Sequence, residues 1–235
     1  MKIVTWNCNL NLAKKYEYIE SFGADVAIIQ ECENLKEDHF SGRRYFWTGR
    51  IENKGLGILI KNDSASIHPS INHNLINFLP IQSDELKILG VWAYNHRAVK
   101  FGHEVSGNTS DAIKHYMKWL STGSNPCLFG GDFNNSIIWD KRNNDNNFQN
   151  INSTLTGLGF ESAYHSYSGD SFGKERKTTF FHTKKESKKY HIDYLYTKSL
   201  DVKYVTIGKY QDWIKLSDHC PITIEVQQLQ ESIDQ

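Results

Sequence analysis

Glu31, Asp132 with Asn134, and Asp218 with His219 are the residues of this 235-residue chain whose types and settings can do hydrolytic chemistry. Glu31 directly follows the apolar run Val26-Ala27-Ile28-Ile29-Gln30, so a buried strand delivers its carboxylate into a loop. A hard divalent cation such as magnesium takes oxygen ligands and commonly only one or two carboxylates, leaving the other positions to water and phosphate. Asp132 and Asn134 flank Phe133 after Gly130-Gly131. In an extended segment they face the same side, and the glycines let the backbone come close to a ligand. An acid beside an amide suits orienting a water and holding a phosphoryl oxygen. Asp218-His219 adds a group that titrates near neutrality; protonated, His219 can donate to phosphate oxygens as charge builds on them. The segment His191-Ile192-Asp193-Tyr194 offers Asp193 to accept from that imidazole and fix its tautomer, the orienting logic of catalytic triads. The chemistry these groups point to jointly is metal-assisted cleavage of a phosphoester.

Each cluster alone has a plainer reading. A Glu at a strand end is usually solvated, Gly-Asp-x-Asn is also an Asx turn, and a lone His is most often a satisfied structural residue. The elements that carry them argue for more. The run 2–6 reads as a buried strand ending at Asn7, and Leu12, Tyr16, Ile19 and Phe22 form one helical stripe stopped by Gly23. With the strand at 26–30, this makes a strand-helix-strand unit with Asn7 and Glu31 at its two strand ends, where α/β folds collect ligands. Strands are expected at 44–48, 57–61, 75–79, 86–94, 127–131, 178–182, 190–196, 202–207 and 222–226. Two further helices are expected, one capped by Thr109-Ser110-Asp111 with stripe Ile113, Met117 and Leu120, the other carrying Phe148, Ile151, Leu155 and Leu158 before Gly159. No fixed-period repeat or low-complexity linker divides the chain, so residues 1–235 are expected to form one mixed α/β domain.

The formal net charge is zero, which removes any global pull toward nucleic acid or an anionic membrane but leaves room for a local basic stripe. Cys8, Cys32, Cys127 and Cys220 are dispersed in or beside apolar strands, which argues against a zinc cluster. There is no signal-type apolar stretch at the start and no window approaching a membrane span, so a cytoplasmic protein without membrane contact is expected. The absence of a Gly-x-Ser-x-Gly elbow and of a GxxxxGK[ST] loop speaks against covalent serine hydrolysis and nucleotide-driven chemistry.

Taken in order, Lys2-Ile3-Val4-Thr5-Trp6-Asn7, Ile29-Gln30-Glu31, Gly131-Asp132-Phe133-Asn134, Ile192-Asp193-Tyr194 and Ser217-Asp218-His219-Cys220-Pro221-Ile222 resemble the endonuclease/exonuclease/phosphatase superfamily. This is the group of deoxyribonuclease I, exonuclease III and the apurinic/apyrimidinic endonucleases. The resemblance implies a four-layer α/β/β/α sandwich, two mixed sheets face to face with helices outside and the site at one rim. It implies that Asn7 and Glu31 hold a magnesium (or manganese) ion, with Glu31 the principal ligand, and that Asp218 sits by that ion or a second one. Asp132 and Asn134 would position or deprotonate the attacking water, and His219, held by Asp193, would contact the phosphate. Asn9 stands where some relatives have a further acid. Tyr94 looks like the position where relatives place a Tyr or His facing the phosphate, with His96 its rival if the strand runs two residues longer.

The region 174–189 holds seven Lys or Arg residues against Glu175 and Glu186, interleaved with aromatics, a composition that suits a nucleic-acid backbone. Charge runs are also commonly just solvated. In abasic-site endonucleases the corresponding hairpin carries the pocket for the damaged sugar, and Phe180, Tyr190 and Ile192 resemble its walls. The expected activity is that of an endo- or exonuclease on DNA or RNA, working as a monomer with no protein partner inferable. The alternatives are a phosphatase of a small phosphorylated metabolite or inositol phosphate, and a non-catalytic binding domain. The last is disfavoured because Glu31, Asp132, Asn134, Asp218 and His219 are all present.

Overall fold

The computed structural model describes residues 1–93, 99–101, 104–106, 108–141 and 146–229. Tyr94 and His96 lie outside these residues. Strands are numbered in chain order. One six-stranded sheet runs β15 (Leu200–Ile207), β16 (Ile222–Gln228), β1 (Lys2–Asn7), β2 (Val26–Cys32), β4 (Lys54–Ile60) and β3 (Arg44–Ile51). The other runs β11 (Glu161–Ser162), β14 (Asp193–Lys198), β10 (Cys127–Asp132), β7 (Lys87–Trp92), β6 (Phe78–Gln82) and β5 (Ser66–Ile67). Two small hairpins, β8–β9 (Val99–Phe101 with Glu104–Ser106) and β12–β13 (Phe180–Phe181 with Lys189–Tyr190), lie apart from them. The helices are α1 (Leu12–Ser21), α2 (Thr109–Ser121), α3 (Phe148–Gly157), α4 (Ala163–Ser168) and α5 (Tyr210–Trp213). β1–β2 and β7–β10 are the parallel pairs, so both sheets are mixed.

Strand alternation sorts the core into three apolar layers. Ile28 and Ile58 from the first sheet meet Ile88, Leu128 and Leu195 from the second in the layer between the sheets. The opposite-facing residues Val4, Trp6, Ala27 and Ile29 pack on Leu12 and Ile19 of α1. On the far side, Leu89, Val91, Phe129 and Tyr196 pack on Ile113, Tyr116 and Leu120 of α2 and on Ile151 and Leu155 of α3. The result is the α/β/β/α sandwich expected from the sequence. Buried on both faces, the central strands read as continuous apolar runs, not alternating ones.

Several local expectations shift. The strand expected at 75–79 begins at Phe78. The Asn72 side chain accepts from Asn74 N, and Leu75 N donates to Asn72 O, so a turn consumes the first residues. Pro80 sits in that strand beyond the two residues that pair with β5, where no partner needs its missing N–H. Asn108, not the Thr109-Ser110-Asp111 triplet, caps α2 by accepting from Asp111 N at 2.9 Å. Met117 of the expected stripe is 44% exposed, and Tyr116 and Trp119 take the core face. The run 190–196 divides, with Tyr190 ending the β12–β13 hairpin and Asp193 opening β14. All four cysteines are free and buried. Among the described residues no helix is long and apolar enough to cross a membrane.

Candidate active site

β1, β2 and β10 end at one rim of the sandwich, and the antiparallel β14 and β16 begin there. Their termini bring Asn7, Glu31, Asp132, Asn134, Asp193 and His219 together. In the register of β10 and β14, Asp132 lies directly opposite Asp193, so two carboxylates face one imidazole. Asp193 meets His219 Nδ1 at 2.9 and 3.1 Å through its two oxygens, and His219 Nε2 lies 3.9 Å from Asp132 Oδ2. These three are the one group of His, Cys, Asp or Glu among the described residues whose ligating atoms all lie within 4.8 Å.

The triad is fixed from behind. Thr179 Oγ1 accepts from the N–H groups of Ile192 and Asp193, and Trp6 Nε1 donates to His219 O at 3.0 Å. Ser217 Oγ donates to Asn7 O and accepts from His219 N. Burial favours a neutral imidazole, but the Asp193 and Asp132 carboxylates outweigh it and bring His219 up to about 9, so it is an imidazolium at neutral pH. Asp132 is pushed up to about 7, first by burial and then by Asp193, with His219 and the Asn7 and Asn134 donors pulling the other way.

Asn134 reaches Asp132 by a different route from the extended alternation expected. Its backbone is left-handed, φ 45°, and its N–H donates to Asp132 Oδ1 at 2.8 Å. Its Nδ2 donates to both Ala93 O and Asp132 Oδ2, so both amide hydrogens are committed. What Asn134 offers the site is Oδ1, an acceptor. An acceptor orients the O–H of a water and cannot hold an anionic phosphoryl oxygen.

Asn7 joins the two sheets. Its Nδ2 donates to Asp132 Oδ2 at 3.0 Å and approaches Glu31 Oε1 at 3.4 Å, while its Oδ1 accepts from Asn9 N. Asn9 is thus held through its backbone, and its carbonyl accepts from Lys15 Nζ. Lys15 also donates to Leu216 O at 2.7 Å, tying the loop after β1 to the segment that carries Asp218. Glu31 sits in a β-bulge between Gln30 and Cys32 with φ 56°, a left-handed backbone that turns its side chain out of the ladder. The donors at this end are a carboxylate and an amide oxygen with one lone pair left, a set that fits a hard divalent cation. Asp218 is half-buried and does not join the carboxylate–imidazole group; its backbone carbonyl accepts from Phe181 N at 2.8 Å.

Gly131, just before Asp132, has φ 142°, and a Cβ there would fall 1.9 Å from Val91 O of the paired strand. Backbone in a central sheet cannot step aside. Gly131→Ala is expected to cost more than roughly 2 kcal/mol, visible as a lower urea midpoint.

Beside His219, a cavity of about 550 Å³ is lined by Asn134, Ile138, Trp139, Phe180, Tyr190 and Ile192 among others. Phe180 lies 4.6 Å from the His219 ring and 6.3 Å from Tyr190, and Trp139 lies 5.1 Å from Tyr190. Phe180, Tyr190 and Ile192 therefore line one cavity, together with Lys141 and His182. Sequence reasoning missed Trp139; its one signal is Ile137-Ile138-Trp139, an apolar island in an Asn-rich stretch.

Comparison with solved structures finds the same architecture. An AP endonuclease from Archaeoglobus fulgidus superposes with a TM-score of 0.71 at 14% identity, over 96% of this chain and 98% of that one. The 3′ phosphatase NExo from Neisseria, bound to a product DNA hairpin, gives 0.66 at 16% identity over 97% and 99%. The 3′-5′ exonuclease NExo from Neisseria meningitidis gives 0.64 at 17% over 96% and 99%. No curated protein matches the chain in sequence. Residues 4–219, nearly the whole sandwich and all of the rim just described, match the Endonuclease/Exonuclease/phosphatase family, and the chain belongs to that family.

Proposed function

We propose that the chain is a divalent-metal-dependent phosphodiester hydrolase, an endo- or exonuclease that cleaves DNA or RNA by in-line attack of water. The observation that carries this reading is the buried Asp193–His219 pair presenting Nε2 toward Asp132 across 3.9 Å. His219, held charged by Asp193, donates from Nε2 to a non-bridging phosphate oxygen and stabilises the negative charge that grows there. Asp132 accepts the proton of the attacking water, and Asn134 Oδ1 fixes that water's orientation. Asn7 and Glu31 would hold the ion. A magnesium or manganese ion at these residues would supply Lewis-acid catalysis and charge neutralisation. Members of this family act on phosphoesters with divalent metals. Asp218 is assigned to the metal end, and Tyr94 to the phosphate.

A nucleic-acid substrate is favoured by the aromatic cavity beside His219, with Phe180, Tyr190 and Ile192 contacting sugar or base next to the scissile phosphate, and by the basic hairpin around it. Of the solved neighbours named above, the 3′ phosphatase is bound to a product DNA hairpin, and the others are described as an AP endonuclease and a 3′-5′ exonuclease. A phosphomonoesterase on a nucleic-acid end or a small metabolite is the second reading, motivated by the 3′ phosphatase among those neighbours.

The test is a panel with magnesium or manganese: supercoiled plasmid, an abasic-site duplex, single-stranded DNA, RNA and a set of phosphomonoesters. Cleavage of a diester is expected, with Glu31→Ala about 10³-fold slower. Turnover of monoesters alone would reject the nuclease. Turnover of nothing above the Glu31→Ala and His219→Ala controls would reject the enzyme.

A further inference from the structure

Glu31 already has a cation. The two-residue turn Glu52-Asn53 joins β3 to β4 with Ile51 opposite Lys54, which puts Lys54 at the hairpin tip beside the bulge of β2. From there Lys54 Nζ reaches Glu31 Oε2 at 3.0 Å and lies 5.4 Å from the ring centre of Trp92, the last residue of β7 in the opposite sheet. The side chain is 37% exposed, and its ammonium lies between the Glu31 carboxylate and the Trp92 ring face. With Asn7 Nδ2 at Oε1 and Lys54 at Oε2, both carboxylate oxygens are occupied.

We propose that Lys54 is a resident counter-cation of Glu31. It pairs with the carboxylate and keeps it aimed when no divalent ion is bound, competes with that ion for Oε2, and on release becomes a contact for the anionic phosphodiester at the rim. The proposal rests on the reading of Glu31 as a metal ligand. The competition is electrostatic. An ammonium and a divalent ion within a few ångströms of each other repel even in a water-like dielectric, enough to weaken metal binding about tenfold. Holding a lone carboxylate in a left-handed bulge without either cation leaves its charge uncompensated. A flexible four-carbon stem with a point charge can leave Oε2 without moving the backbone, as a rigid guanidinium fork could not. Lys54 thus makes the protein's affinity for metal depend on whether a phosphate is present to receive the ammonium, which links the two binding events.

The test uses Mn2+ alone, titrated into the whole chain without substrate and followed by the paramagnetic resonance signal of free Mn2+. Lys54→Met keeps an unbranched side chain and removes the charge. It is expected to bind Mn2+ about tenfold tighter than the wild type, while KM for an oligonucleotide rises. Lys54→Arg, which keeps the charge and releases the carboxylate less readily, should bind Mn2+ no tighter than the wild type. Merely structural damage would loosen metal, not tighten it, and thermal unfolding of Lys54→Met should match the wild type. Unchanged or weaker Mn2+ binding by Lys54→Met, with Glu31→Gln still lowering affinity, overturns the role of Lys54 and leaves the metal site standing. Equal binding by wild type and Glu31→Gln overturns both.

Discussion

Replacing His219 by Ala is expected to lower kcat by about 10³-fold with a smaller change in KM, because the imidazolium stabilises charge that grows on the phosphate oxygens in the transition state. Asp193→Asn should approach the same loss by another route. The neutral amide can no longer hold the proton on His219, and burial then drives the imidazole neutral. The pH–rate profile separates the two causes. In the wild type His219 is raised to about 9, so the donor is present through neutrality and activity falls as pH rises through about 9. An acid limb near 7 is expected from Asp132, which must lose its proton to act as base. In Asp193→Asn the basic limb should move down toward or below about 7, leaving little pH range in which base and donor are both correctly charged. A basic limb that stays near 9 in Asp193→Asn would remove Asp193 from the role of orienter.

Asp132→Asn is expected to lower turnover by about 10³-fold or more and yet to stabilise the metal-free fold. The buried trio of two carboxylates and one imidazolium carries a net negative charge, and burial resists it. An amide in place of the Asp132 carboxylate leaves the Asp193–His219 pair intact at 2.9 Å and makes the group neutral. A gain of roughly 1–3 kcal/mol, or a few degrees in Tm, is expected in the presence of chelator. The sign with pH follows from linkage. The Asp132 carboxyl is raised from its ordinary value to about 7, so the native state holds its proton more tightly than the unfolded chain does. Native stability is therefore greatest when the carboxyl is protonated and declines as pH rises from the ordinary carboxylate range through about 7. His219 acts in the same direction at higher pH, its stabilisation full below the ordinary His value and lost through about 9. The Asp132→Asn gain should thus be larger at about pH 8 than at about pH 5, measured by thermal or urea unfolding. A variant less stable than the wild type at the higher pH would mean that the Asn7 and Asn134 donors outweigh the burial cost.

Asn7, Glu31, Asp132, Asp193 and His219 are legible as candidates because each is a polar residue at the end of an apolar run. An apolar run and its stop are local properties of the chain. The strand-helix-strand opening and the mixed α/β class are legible for the same reason. The displaced start of β6, the cap at Asn108 and the exposure of Met117 were not, because each turns on one side-chain hydrogen bond or on which helix face a sheet covers.

Local runs of residues thus reveal a row of acids and amides at strand ends, in five segments that follow the order of one family. Which of them meet is set by the packing of the two sheets. The antiparallel register of β10 and β14 sets Asp132 opposite Asp193, and the entry into β16 inserts His219 between them; neither pairing is encoded within a few residues of chain. At the rim of the two packed sheets, burial and Asp193 raise Asp132, while the two carboxylates raise His219 against burial, so both reach the range where they can trade protons near neutrality. The left-handed turn at Asn134 spends its amide hydrogens and leaves it an acceptor. Lys54 reaches Glu31 from a later hairpin because a bulge in β2 turns the carboxylate toward it. Side-chain chemistry is written locally, but charge state and partnership depend on distances between segments far apart in the chain, and the packing of the two sheets fixes those distances.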